Sequence, residues 1–133
     1  MANENLSPDR LIIEQFIRAV TQNWLNVGED EHHFEVRCLG EHRTPNSGFF
    51  APSQIDDATA FIVELNNLKM NAYMTINPIN TNHHGNAKDD DVACAHLSFA
   101  DADDLAGLSG IKTMTREHAP DFIVTTGSVP HER

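Results

Sequence analysis

Apolar residues recur every three to four positions near the start of the chain. Ile13, Phe16, Ile17, Val20 and Trp24 form one stripe of a helix with 3.6 residues per turn, which predicts a core-facing helix. Leu6 as staple residue meeting Leu11, Ser7 as N-cap, Pro8 at the first helical position and Asp9 in the first turn predict its beginning. Gly28 predicts its stop. Residues 34–39 read as a short strand with Arg37 pointing off it, and Ser53 opens a second helix carried by Ile62, Leu65 and Leu68. Residues 71–77 alternate as a strand that Pro78 stops. The polar stretch 79–91 is rich in Asn, Gly and Asp and has no apolar anchor, so it is expected to be the least ordered internal loop. The alternation then repeats, with a strand over 92–101, a short helix over 111–118 broken by Pro120, and a strand over 121–126. Strands interleaved with helices predict an α/β or α+β fold, a mixed sheet covered by helices, with ligands collecting beyond the strand ends.

Bulk properties narrow the reading. The length of 133 residues suits one domain with its own core, and 40% hydrophobic content without a long apolar run predicts a globular protein away from the membrane. Asn3, Glu4 and Asp9 precede the first apolar cluster where a secretory signal would carry basic residues, so a cytoplasmic location is expected. Cys38 and Cys94 sit singly in apolar stretches and read as buried reduced thiols. With a net charge of −11 and nine Lys and Arg scattered along the chain, no basic stripe exists, so any contact with a polynucleotide must be local. An acidic surface is still compatible with a nucleotide site in which bound cations meet the phosphates.

Candidate chemistry centres on Phe99-Ala100-Asp101-Ala102-Asp103. On a strand, residues i and i+2 share a face about 7 Å apart, so Asp101 and Asp103 at a strand end would share a divalent ion. The competing reading makes Asp101, Asp103 and Asp104 a turn and helix cap before Leu105. His83 and His84 near Asp89, Asp90 and Asp91 fit a solvated loop better than a metal site, since adjacent histidines point apart. Arg37 and Arg43 are candidates for phosphate contact or ordinary ion pairing, and Tyr73 and Phe99 read as packing residues.

Four stretches taken in order carry a resemblance: Asn71-Ala72-Tyr73-Met74-Thr75-Ile76-Asn77-Pro78, then Asp90-Asp91-Val92, then Phe99 to Asp103, then Pro120-Asp121-Phe122-Ile123-Val124-Thr125-Thr126-Gly127. Together with Phe34-Glu35-Val36-Arg37 and Gly48-Phe49-Phe50 upstream, the set resembles the primase-polymerase domain of plasmid and phage replication proteins, in the archaeo-eukaryotic primase superfamily. The resemblance spans roughly residues 10–133 and implies a nucleotidyltransferase that builds on a DNA template from nucleoside triphosphates with two magnesium or manganese ions. It implies that Asp101 and Asp103 are catalytic metal ligands. It implies also that Thr126, Gly127, Ser128 and His131 hold the incoming phosphates, with Arg133 as the alternative contact because Pro130 stands where many relatives carry glycine.

The family's third acidic ligand lies downstream of the histidine motif, beyond Arg133, so the chain is expected to be the front part of such a domain, with a helicase as a downstream partner. A sheet cut off there would leave an open edge and favour a homodimer. Two alternatives stay open: a non-catalytic replication accessory or decayed relative with the same fold, and an unrelated metal-dependent nuclease or hydrolase using the same acids with His96 or His131.

Overall fold

A computed structural model of the chain describes residues 7–22, 24, 32–81, 85–95, 97–99, 102, 104–114 and 119–124. These fall into two compact units, Met1–Leu97 and Ser98–Arg133.

In the first unit the elements run α1 (Arg10–Thr21), β1 (Phe34–Leu39), β2 (Asn46–Phe50), α2 (Ile55–Asn67) and β3 (Asn71–Met74). The three strands form an antiparallel sheet in the order β2-β1-β3. The expected mixture of helices and strands is present, but among the described residues the sheet is wholly antiparallel.

Helix α1 begins two residues later than predicted. Asp9, rather than Ser7, is its N-cap, accepting a hydrogen bond from the Ile12 N–H at 3.1 Å. Leu6 and Gly28 lie outside the described residues, Leu11 is exposed, and the helix ends at Thr21. The predicted stripe is the core face: Ile17, Val20 and Trp24 are buried, with Ile13 and Phe16 packed against them. Helix α2 packs on all three strands, and α1 packs on α2. An aromatic chain joins the layers, Trp24 to Phe34 at 6.3 Å, Phe34 to Phe50 at 5.9 Å and Phe50 to Phe61 at 5.5 Å between ring centroids.

A 3-10 turn, Pro52–Gln54, leads into α2, and Asp56 and Asp57 in its first turn oppose the helix dipole. Its end is a Schellman motif. The Lys69 N–H donates to Asn66 O and the Met70 N–H to Leu65 O, while Lys69 takes a left-handed φ of 65° and Met70 is buried. Leu68, assigned to the helix stripe by periodicity, is the C-cap and is exposed. The turn passes so close to the end of β1 that a Cβ on Gly40 would sit 2.9 Å from the Met70 side chain.

The strand expected over 71–77 is shorter because a side chain takes one of the ladder bonds: the Thr75 N–H still donates to the Glu35 carbonyl at 3.0 Å, but the return bond ends on the Thr75 side chain. The Thr75 hydroxyl accepts the Glu35 N–H at 2.9 Å, and Pro78 has no N–H to donate. Pairing then resumes: Ile79 exchanges two backbone hydrogen bonds with His33 and bridges Val92 on its other side. Ile79 is fully buried, so the loop expected to lack an apolar anchor has one at its first residue. The strand expected over 92–101 is not formed by the described residues of that range. After the Val92 bridge, the Asn77 carboxamide clasps Leu97, accepting its N–H at 2.9 Å and donating to its carbonyl at 3.3 Å, in place of a ladder.

In the second unit, α3 (Leu105–Lys112) is capped by Asp104, whose carboxylate accepts the Gly107 N–H at 2.7 Å. It thus starts six residues before the helix expected over 111–118, because the Asp104 cap outweighs the low helix propensity of Gly107 and Gly110. Residues 121–124, expected as a strand, are not one, and Phe122, Ile123 and Val124 are exposed. No described helix is long and apolar enough to cross a membrane.

Candidate nucleic-acid interface

Strand alternation divides the sheet into two faces. Phe34, Val36 and Cys38 of β1 point toward the helices with their register partners Phe50, Gly48, Met74 and Ala72. Glu35, Arg37 and Leu39 point the other way, beside Ser47 and Phe49 of β2 and Asn71 and Tyr73 of β3. Helix α2 packs on the first face and α1 packs on α2, so no described helix of that unit covers the second.

On this second face Glu35 is 2% exposed, although it carries a carboxylate. Its Oε1 accepts from Arg37 Nε at 2.7 Å and lies 2.6 Å from the same guanidinium's Nη2. Its Oε2 accepts the Ala87 N–H at 2.6 Å. Two hydrogen bonds and an ion pair therefore satisfy a charge that would otherwise be costly to bury, and the chain at residue 87 is fastened to β1. Arg37 keeps 37% of its side chain exposed, so part of its donor fork faces outward on the helix-free side. Its register partner on β3 is Tyr73, 56% exposed. Directly opposed residues on antiparallel strands hold their Cβ atoms about 5 Å apart, which places an exposed ring beside an oriented guanidinium.

The packing role expected for Tyr73 is therefore corrected: it stands on the face that the helices leave bare. Phe99, also expected to pack, is 78% exposed. Arg37 keeps its exposed donors and also has an ion-pair partner. Arg43 is exposed in the β1–β2 connection, its N–H bonded to the Gly40 carbonyl.

The remaining candidates, Asp101, Asp103, Thr126, Gly127, Ser128, His131 and Arg133, lie outside the described residues, as do His83, His84 and His96. Among the described residues no three His, Cys, Asp or Glu side chains gather to hold a metal ion. Asp89, Asp90 and Asp91 form a 3-10 turn, in which the Asp91 carboxylate accepts the Lys88 N–H at 2.8 Å. Asp104 belongs to the cap of α3. Cys38 is buried, and desolvation pushes its thiol pKa up, which makes it a packing residue rather than a nucleophile. Cys94 is only partly buried, so the expectation of two buried thiols holds for Cys38 alone. A shallow groove lined by Gln15, Arg18, Gln22, Pro52 and Ile55 brings no convergent polar groups together, since Arg18 is paired with Glu14 on its own helix.

Sequence reasoning did not single out Glu35 or Thr75. The signal for Glu35 was present in Glu35-Val36-Arg37, opposite charges at i and i+2 of a strand and hence on one face. No family model matches the chain, and no curated protein or solved structure matches it either.

Proposed function

We propose that this chain carries primase-polymerase chemistry of the plasmid and phage replication type, moving nucleotides from nucleoside triphosphates onto a 3′-hydroxyl opposite a DNA template. The observation that carries the reading is the order of motifs along the sequence, from Asn71-to-Pro78 through the acidic pair to Thr126-Gly127. An α/β architecture with helices of the first unit on one sheet face, and Arg37 on the other, is compatible with it.

In this reading Asp101 and Asp103 hold two magnesium or manganese ions, for which carboxylate oxygens are the fitting donor type. When bound, the ions would acidify the 3′-hydroxyl and neutralise charge on the triphosphate. Thr126, Gly127 and Ser128 offer backbone N–H groups to the phosphates, and His131 or Arg133 adds a side-chain donor. Arg37 and Arg43 supply further positive charge. A cytoplasmic location and a helicase partner in replication belong to the same reading.

The test is a manganese titration of isotope-labelled protein in the presence of a nucleoside triphosphate. Amide signals of Asp101, Asp103 and Gly127 should broaden together, and an Asp101→Ala, Asp103→Ala double variant that melts like the native chain should lose the effect. An unchanged response in that variant moves the ions elsewhere and removes the reading.

A further inference from the structure

We infer that the outer edge of β3 is where two copies of this chain join, as an antiparallel pair of β3 strands about a two-fold axis beside Tyr73. The inference goes beyond the proposed function and does not depend on it.

The direction of the backbone groups identifies the edge. In an antiparallel ladder, a residue that exchanges bonds with one neighbouring strand is followed by one whose N–H and C=O face the other side. The Thr75 N–H donates to the Glu35 carbonyl at 3.0 Å and the Glu35 N–H to the Thr75 hydroxyl at 2.9 Å, so this pair is of the bonded kind. The register then makes Arg37 with Tyr73, and Leu39 with Asn71, bonded pairs as well. Ala72 and Met74 therefore turn their N–H and C=O groups away from β1, and no described strand pairs with that side of β3.

Exposure agrees with this. Asn71, Ala72 and Tyr73 are all exposed, although alternation sends their side chains to opposite faces of the sheet, and an uncovered edge has that effect. On β2, the other outer strand, only Asn46 is exposed. Strand β3 also lacks the devices that blunt an edge, having no charge, proline or bulge between Asn71 and Met74.

Charge and symmetry select a second copy as the occupant. At a net charge of −11, copies of the chain repel one another over much of their surface. Between Glu64 and Asp89, however, the sequence has no Asp or Glu and includes Lys69 and Lys88, so β3 lies in a segment where that repulsion is relieved. Glu35, on the adjacent strand, is already paired with Arg37. Outward groups at Ala72 and Met74 make a self-complementary ladder about an axis between them: Ala72 bonds to the partner's Met74, and Met74 to the partner's Ala72. Tyr73 then stands opposite the partner's Tyr73 as a non-bonded pair, with Cβ atoms about 5 Å apart, and each 56% exposed ring covers the other. The interface is small, so association is weak and depends on concentration.

The experiment is sedimentation velocity of the 133-residue chain across a concentration series. The native chain should pass from monomer to dimer as concentration rises. Ala72→Pro removes an outward N–H and no bond to β1, so this variant should remain monomeric while melting close to the native chain. Tyr73→Lys and Tyr73→Glu should each remain monomeric where the native chain is dimeric, because the axis brings like charges together. Mixed in equal amounts, these two variants should associate again, as each charge then meets its opposite across the axis. A merely structural effect of one substitution would not be rescued by the other.

A native chain that stays monomeric at every concentration overturns the inference and leaves the edge to a strand of a different protein. Native-like dimerisation of Ala72→Pro or of either Tyr73 variant overturns it too and places the contact elsewhere. If Ala72→Pro unfolds, the mixture of charged variants decides: association supports the β3 axis, and its absence overturns it.

Discussion

Removing Glu35 should reveal how much the first unit depends on one buried ion pair. The carboxylate is 2% exposed and meets Arg37 Nε at 2.7 Å, Arg37 Nη2 at 2.6 Å and the Ala87 N–H at 2.6 Å. Breaking a fully buried pair by deleting one partner costs about 3–5 kcal/mol. Here Arg37 retains 37% exposure and recovers solvation once released, so Glu35→Ala should cost less, about 2–3 kcal/mol. Glu35→Gln keeps an acceptor for Ala87 but loses the charge, and about 1–2 kcal/mol is expected. Arg37→Ala strands the buried carboxylate with only neutral donors and should also cost about 2–3 kcal/mol. Because the two residues act as one unit, the Glu35→Ala, Arg37→Ala double variant should be more stable than the sum of the single effects by about 1–2 kcal/mol. Urea denaturation at constant m-value measures all four corners of this cycle. A coupling below about 0.5 kcal/mol would show that the pair is an ordinary surface contact and that Arg37 is not pre-oriented.

Four further outcomes follow from the packing. Lys69→Gly should raise stability by roughly 1 kcal/mol in a thermal or urea melt, because Lys69 sits at φ 65° where glycine carries no Cβ penalty. Gly48→Ala should lower stability by about 1–3 kcal/mol, since a Cβ there would lie 2.7 Å from the Phe50 ring, itself packed on Phe34 and Phe61. Asn77→Ala should lose protection of the Leu97 amide in hydrogen exchange and cost about 1–2 kcal/mol, as two hydrogen bonds go with the carboxamide. Cys38 should resist alkylation until the chain is unfolded; its thiol pKa is raised by burial, so that contribution to stability is complete below the thiol's ordinary pKa and declines as pH rises through it.

The parts of the fold legible in the sequence were those with strong local periodicity. The α1 stripe and strand β1 carry their pattern within a few residues; β1 forms over the range the pattern gives, and α1 over the part of its range that ends at Thr21, short of Trp24. Strand β2 carried no such pattern: Asn46, Ser47 and Gly48 have poor strand propensity, and they are extended because β1 pairs with them. The described residues 92–95 and 97 show the opposite case, where strand-like composition is not matched by a ladder because the Pro78 carbonyl and the Asn77 side chain take over the bonding. Asp104 was legible as a possible cap, but Gly107, Ser109 and Gly110 masked the helix that follows it. At the candidate site, Arg37 was visible as a single cation on β1. Glu35 and the exposure of Tyr73 depend on which face the helices cover, which is a tertiary fact.

Template-directed nucleotide transfer is the central claim, and primer extension tests it most directly. Protein expressed from its full reading frame would be incubated with a primed single-stranded template, labelled nucleoside triphosphates and manganese, beside its Asp101→Ala, Asp103→Ala variant. The expected products follow the template in sequence, need the divalent ion and disappear in the double variant while its melting profile is retained. Equal synthesis by the variant, or no synthesis by a native protein that binds both nucleotide and template, would contradict the claim.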